Sequence, residues 1–419
     1  MFDSRILTKP IFLFRQLVRR LWVRTSLIAA LALVSASLGP VLGPLVPATF
    51  AERLNADAVG RILEILASSM LAVTTFSLSI MVAAQKWASN QSSPRAQQVI
   101  EEDTVTQNAL ATFLGAFIFA LASLILVETG VYDERSNAVI LAFTFIVILL
   151  VVIAILRWIE QLSNLGGVSE TADKIETAAR RALRRRSELP CLGAVACDLD
   201  SVPGSAEPVT AETTGYVRHV DTGMLEERAC ADDSRIWILA LPGTFIAAGQ
   251  PLARVSGPLD EDRVRAAFLI GAERSFDQDP RFSLQILSEI AQRALSPGVN
   301  DPATAITIMG RLLRLLVPLT AETAPEDTAS FTRVAAPPIP TAALLEDAFA
   351  AIARDAGDKV EVHLFLQSAL ERLANSQDDE MAGAARAASR RALAFADRDL
   401  VLKEDRDRVN ASAPVSLKD

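Results

Sequence analysis

Residues 62–84 read ILEILASSMLAVTTFSLSIMVAA. A helix rises about 1.5 Å per residue, so about 20 apolar residues cross the ~30 Å hydrocarbon layer of a bilayer. This stretch is long and apolar enough to do so. It also carries Glu64, Ser68, Ser69, Thr74, Thr75, Ser77 and Ser79. At about 100° per residue, Glu64, Ser68, Thr75, Ser79 and Lys86 fall within an arc of about 60°. Leu71 and Val82 lie close to that arc, so the face is mixed rather than wholly polar. A polar face inside a membrane turns toward protein or water. Two readings follow. In one the face lines an aqueous path, the hydroxyls hydrate a passing ion, and Glu64 and Lys86 set the field at the two mouths. In the other it packs on a neighbouring helix, where small hydroxyl residues allow close approach and bond to their own backbone.

Working outward, residues 27–46, 110–128 and 138–158 are runs of similar length. The expectation is a membrane domain over residues 1–160 with four transmembrane helices. Pro40 and Pro44 predict a kink near the end of the first. The first run also fits a signal peptide, with Arg15, Arg19, Arg20 and Arg24 ahead of it and small residues at Ser35, Ala36 and Ser37. The apolar run continues past those residues and its basic lead-in is long, which favours a retained helix. In the third run, Gly115 between Thr112 and Phe119 marks a helix-packing surface.

Arg and Lys set the expected orientation. They cluster before the first span, at Lys86 and Arg95 after the second, and at Arg157, Lys174 and Arg180–Arg186 after the fourth. The other two loops hold only Arg53, Arg61 and Arg135. The positive-inside rule then places both termini in the cytosol. Trp22, Trp87 and Trp158 fall at the cytosolic ends, where indole rings favour the headgroup zone. The run Arg180–Arg186 reads either as a contact to anionic lipid headgroups or as a solvated helix end.

The whole chain has 419 residues, 51% hydrophobic residues and a mean hydropathy of +0.30, with the apolar excess gathered before Ile159. A net charge of −9 argues against a nucleic-acid partner, which requires a basic face. Cys191, Cys197 and Cys230 are too few and odd in number for a disulfide framework. His219 and His363 are far apart, so no histidine-based metal site is expected.

Beyond the spans, a juxtamembrane helix is expected over 161–190, with Ile175, Ala178, Ala179, Ala182 and Leu183 on one face. A small β-rich domain is expected over 191–258, from Val217, Val220 and the run Ile236–Leu241 between glycine-marked turns. Thr214–Val217 and PGTFIAAGQPLARV (242–255) resemble the β-sandwich of biotinyl- and lipoyl-type carriers. No lysine occurs between Lys174 and Lys359, so a swinging arm is excluded and only the sandwich or barrel-like shape is expected. A helical domain is expected over 259–400. It begins with a helix placing Val264, Ala267, Phe268 and Ile270 on one face, followed by a packed helix with Leu284, Ile286, Leu287, Ile290, Ala291 and Leu295. Asp301-Pro302 caps and opens the next helix. Residues 320–340 read as a linker and 401–419 as a flexible tail. The fold class is thus a multi-pass α-helical membrane domain followed by a cytosolic α+β region.

Glu273, Arg274, Asp277 and Asp279, with Arg281, Asn300 and Asp301, form the second candidate cluster. They read as a cation or ligand site, or as a salt-bridged loop ordering a helix junction, the second being the commoner use of such charges. No phosphate-binding loop, dinucleotide fingerprint or nucleophile elbow is present. No enzyme activity and no cofactor are expected.

The segments GAERSFDQDPRFSLQILSEIAQRAL and SPGVNDPATAI resemble the DUF2254 family of bacterial membrane proteins. The same pattern recurs at Thr74–Arg95, Thr112–Leu124, Gly215–Val220 and Pro242–Leu252. Asn90–Arg95 departs from it, lacking the aromatic residue expected before Ser-Pro-Arg. The resemblance implies architecture and a bacterial inner (cell) membrane location, and no activity. Two functions are carried forward: an oligomeric channel- or transporter-like protein regulated by its cytosolic region, acting on an ion or small ligand, and a non-conducting membrane-anchored sensor or scaffold.

Overall fold

The computed structural model describes residues 56–91, 95, 104–129, 134–162, 168–258, 260–320 and 329–414, with a few isolated positions between 26 and 38. The expected first span, 27–46, therefore falls almost wholly outside the described residues. Those described group into two compact units, one within 12–90 and 97–170, the other within 91–96 and 171–419.

The membrane unit contains α1 (Ala56–Gln91), α2 (Thr104–Glu128) and α3 (Glu134–Leu162). Within them, Ala58–Ala83, Asn108–Glu128 and Asn137–Glu160 are long and apolar enough to cross a membrane, with mean hydropathies of 1.9, 2.5 and 3.5. They coincide with the second, third and fourth expected spans. Small residues on α2, among them Ala109, Gly115, Ala116 and Ala120, are buried and let α2 and α3 approach closely. Leu63, Phe113, Phe119 and Ile140 fill the interior of this unit. Large apolar residues, including Ile125, Phe145, Leu149 and Leu156, remain exposed, as a lipid-facing surface requires.

The C-terminal unit opens with α4 (Val168–Glu188), which buries Ala172, Ile175, Ala179, Ala182 and Leu183. Two sheets follow. The first has the order β1-β8-β4-β6-β2, from Ala194–Ala196, Phe331–Ala336, Arg235–Ile238, Pro251–Ser256 and Glu207–Thr210. Its β1–β8 and β8–β4 pairs are parallel, and its β4–β6 and β6–β2 pairs antiparallel. The second, β5-β3-β7, joins Phe245–Ile246, Gly215–Val220 and Phe268–Gly271 in antiparallel register. Val209, Val217, Leu225, Ile236, Leu252, Phe268 and Val334 share one core, so both sheets and α5 (Thr222–Ala231) enclose it together. The two carrier-like sequence segments do pair, at β3–β5. The parallel pairs and the inserted α5 nonetheless depart from a carrier-type sandwich.

Two expectations for the β region change. Helix α6 stops at Glu261–Arg265, and Phe268–Gly271 is a strand, with Phe268 opposite Val220 and Ile270 opposite Val217. The supposed linker 320–340 contains β8, which sits between β1 and β4 in the larger sheet. The sheets therefore draw strands from both sides of the expected boundary at 258.

The helical part comprises α7 (Pro280–Leu295), α8 (Pro302–Leu316), α9 (Thr341–Leu345), a π-helical turn (Glu346–Ala350), α10 (Ala351–Asp355), α11 (Val360–Ala374), α12 (Asp379–Asp399) and α13 (Lys403–Ala411). All six apolar positions expected on α7 are buried. The expected tail is helical at α13, and Val409 packs with Ala396 and Leu400. A further helix, Pro302–Thr320, meets the length and hydropathy of a span, at 1.4. It is a core helix of this unit, since Ala305, Ile308, Met309, Leu312, Leu315 and Leu316 are buried against α7 and α11.

Candidate functional site

The polar face of α1 lies on the outside of the chain. Glu64, Ser68, Thr75 and Ser79 are all exposed, alongside Leu71 and Phe76. The hydroxyls turn back onto their own helix: Ser68 donates to the Glu64 carbonyl, Thr75 to Leu71 and Ser79 to Thr75, each at 2.9 Å. Such i−4 bonds satisfy the donor inside an apolar span and leave the oxygen lone pairs outward. The Lys86 side chain lies outside the described residues. Ser77, off the stripe, is buried instead, as are Ser123 on α2 and Thr144 on α3.

The second cluster is not one site. Asp279 caps α7, accepting from the Phe282 amide at 3.2 Å, and Pro280 follows at the first helical position. Arg274 bonds Asp279 at 2.7 Å, reaches Gln285 and lies over the Phe282 ring at 4.8 Å. Burial pushes the Asp279 carboxyl up, with Arg274 and the Phe282 amide acting against it. Asp301 caps α8 in the same way, accepting from Thr304, whose hydrogen bonds hold its carboxyl below the ordinary value. Asn300 precedes it in a left-handed conformation, φ 50°. The sixteen-residue α7 separates the two caps by about 24 Å of helix. Glu273 is exposed, Asp277 accepts from Ser275, and Arg281 pairs with Asp347. These residues close helix ends and tie loops to helices.

Glycines explain two of the sequence motifs. Gly243 has φ 93°, and a Cβ there would stand 2.2 Å from the Asp279 carboxylate. A Cβ on Gly215 would meet the Gly271 carbonyl at 2.6 Å across the β3–β7 pair. Both positions need the bare backbone.

Three polar anchors escaped the sequence reading. Glu226 on α5 accepts from the amides of Thr332, Arg333 and Val334, at 3.0, 2.9 and 3.1 Å, and so clamps β8. Gln278 exchanges two hydrogen bonds with the Val220 backbone. Glu176, 5% exposed, bonds Arg180, Arg311 and Arg314 and joins α4 to α8. Their partners lie 58 or more residues away except for Arg180, so no local pattern announces them. The basic run of α4 is largely engaged: Arg180 with Glu176, Arg184 with Glu188, Arg185 with the Asp277 carbonyl. Arg95, grouped with this unit, pairs with Glu289 on α7 at 2.6 Å. Among the described residues no three His, Cys, Asp or Glu side chains are placed to hold a metal ion.

The chain is 27% identical over 310 residues to an uncharacterized protein of Mycobacterium bovis and equally to one of Mycobacterium tuberculosis. The alignment covers 68% of this chain and 57% of each relative, so the chain spans little more than half the length of the curated relatives it matches. No solved structure matches. The model of the predicted membrane proteins termed DUF2254 matches residues 18–372, and the chain belongs to that family.

Proposed function

We propose that the protein is an oligomeric channel- or transporter-like protein of the bacterial inner (cell) membrane, with both termini cytosolic and its C-terminal unit regulating it. One observation carries this reading: the exposed face of α1. Glu64 is the only carboxylate within Ala58–Ala83, and it shares that face with hydroxyls whose donors are already satisfied. A carboxylate facing lipid is costly. Around a symmetric axis the same face meets water and the equivalent face of other copies. Glu64 then raises the local cation concentration at one mouth.

Flux from purified protein in liposomes tests this. Glu64→Gln keeps the shape and removes the field, so cation flux or selectivity falls while oligomer size is kept. Unchanged flux in Glu64→Gln, together with broken oligomers in Ser68→Leu and Thr75→Leu, rejects the pore reading. Orientation has its own test. Cysteines placed at Asp133 and Ser187 react from opposite sides of the membrane, and same-side labelling rejects the topology.

The second reading, a non-conducting anchor or scaffold, is favoured by the hydroxyls bonded back onto their own helix, which also suit a dry contact between helices. No flux from wild-type liposomes, with the oligomer intact, selects it.

A further inference from the structure

Arg186 differs from its neighbours at the end of α4. Its Nη2 donates to the Pro337 carbonyl at 3.2 Å, and no carboxylate pairs with it among the described residues. It stands in the wall of a cavity of about 200 Å³ within the C-terminal unit. Leu183, Ile339 and Leu344, with three prolines, make the wall largely apolar, and Arg186 is the one charged lining residue among those described. The remaining polar groups are Ser187 and Cys191.

Cys191 is 3% exposed and sits in left-handed backbone, φ 52°, followed by Leu192 at φ 61°. Burial pushes its thiol up, against the pull of Arg186. At neutral pH the sulfur is therefore a neutral S–H and supplies no counter-charge. Burial likewise lowers Arg186, although an arginine stays protonated. Asp279, next in sequence to the lining Pro280, is taken up by Arg274 and its own helix. The cavity thus presents one cation, partly buried and with no anion among the described lining residues, beside an apolar wall. A cation in that state is unfavourable until an anion joins it.

We propose that this cavity binds a small aliphatic monocarboxylate, its carboxylate forked onto Arg186 and its tail among Leu183, Ile339 and Leu344. The planar guanidinium matches a carboxylate with two parallel hydrogen bonds. At ~30 Å³ per water-sized group, the space holds about seven such groups, the size of a small branched acid. Inorganic phosphate has no tail for the apolar wall, and an alcohol of the same shape has no charge for Arg186. The site is independent of the α1 face and of the pore reading.

Equilibrium dialysis of the purified full-length protein against radiolabelled isovalerate tests it. Saturable binding is expected, competed by unlabelled isovalerate and not by phosphate or isopentanol. At ten times its Kd, isovalerate slows alkylation of Cys191 by about tenfold, since only the empty fraction reacts. Cys197 and the exposed Cys230, read in the same mass spectra, are unaffected. Arg186→Gln abolishes binding and Arg186→Lys weakens it. Absence of saturable isovalerate binding to the wild type overturns the proposal whatever the variants do. Equal competition by isopentanol, or undiminished binding in a folded Arg186→Gln, overturns it as well.

Discussion

Helices α3 and α8 both meet the length and hydropathy of a membrane span, and they send their apolar residues to different places. On α3 the exposed positions include Phe145, Ile146, Leu149, Val152, Ile153 and Leu156, with no charge between Asn137 and Leu156. On α8 the largest apolar residues point inward, with Leu312 and Leu316 at 0% exposure, while Ala303, Thr307 and Arg314 face out. Arg311 also turns inward, where it bonds Glu176 and Asp173. Mean hydropathy counts apolar residues without regard to direction. Direction decides whether lipid or a protein core is the natural solvent. Helix α1 stands between the two, because its exposed face mixes Leu71 and Phe76 with Glu64, Ser68 and Thr75.

The strongest challenge to this comparison falls on the core that receives α8. Ile290 is 1% exposed on α7, which packs on α8. Ile290→Asp buries a lone carboxylate there and removes on the order of 5 kcal/mol, enough to unfold the unit. Limited proteolysis in detergent then cuts within the C-terminal unit, and an unchanged digestion pattern rejects the assigned α7 face.

A matched pair of truncations sharpens the contrast directly. Leu312→Ala costs about 2–5 kcal/mol, the usual range for a buried leucine. Leu149 is 61% exposed, and Leu149→Ala costs under about 0.5 kcal/mol. Thermal melts of the two variants give the comparison. Equal losses would mean that the outer face of α3 is packed against protein.

Glu176→Gln comes next. It removes the charge that Arg311 and Arg314 share and costs about 2 kcal/mol, the range of a hydrogen bond to a charged group. Arg311→Leu should cost less on that background than alone, and strict additivity would show that the α4–α8 link is incidental.

The smallest effect is at the start of α8. Asp301→Ala loses an N-cap, about 1 kcal/mol. The Asp301 carboxyl is held below its ordinary value by Thr304. Its contribution is therefore complete above the unfolded value near pH ~4 and fades as pH falls through the folded one. Wild type and variant should converge in stability below that range. A difference that persists unchanged in acid would place the stabilisation elsewhere than the ionised carboxylate.

These tests bear on features of unequal legibility. The spans at α1, α2 and α3 were readable because each carries its own unbroken apolar run. The Asp301-Pro302 cap was readable because a cap is made within four residues. Asp279-Pro280 is the same device, hidden by the charges around it, which suggested a ligand site. Val264, Ala267, Phe268 and Ile270 suit a helical face, yet Phe268 and Ile270 pair with β3. β8 lies in a segment whose Ala, Pro and Thr content reads as loose, and it is a strand because Glu226 and two parallel neighbours hold it.

The sequence by itself determined that the chain contains membrane helices, that α1 has a polar stripe, and that α7 and α8 are capped amphipathic helices. Those properties depend on residues within a few turns of one another. Only the tertiary structure decided which apolar helix is a core element, that the two candidate caps lie at opposite ends of α7, and that Arg186 faces a cavity with no carboxylate among its described lining residues. Each of these depends on groups brought together from distant parts of the chain, where burial and charge neutralisation, rather than local pattern, set the free energy.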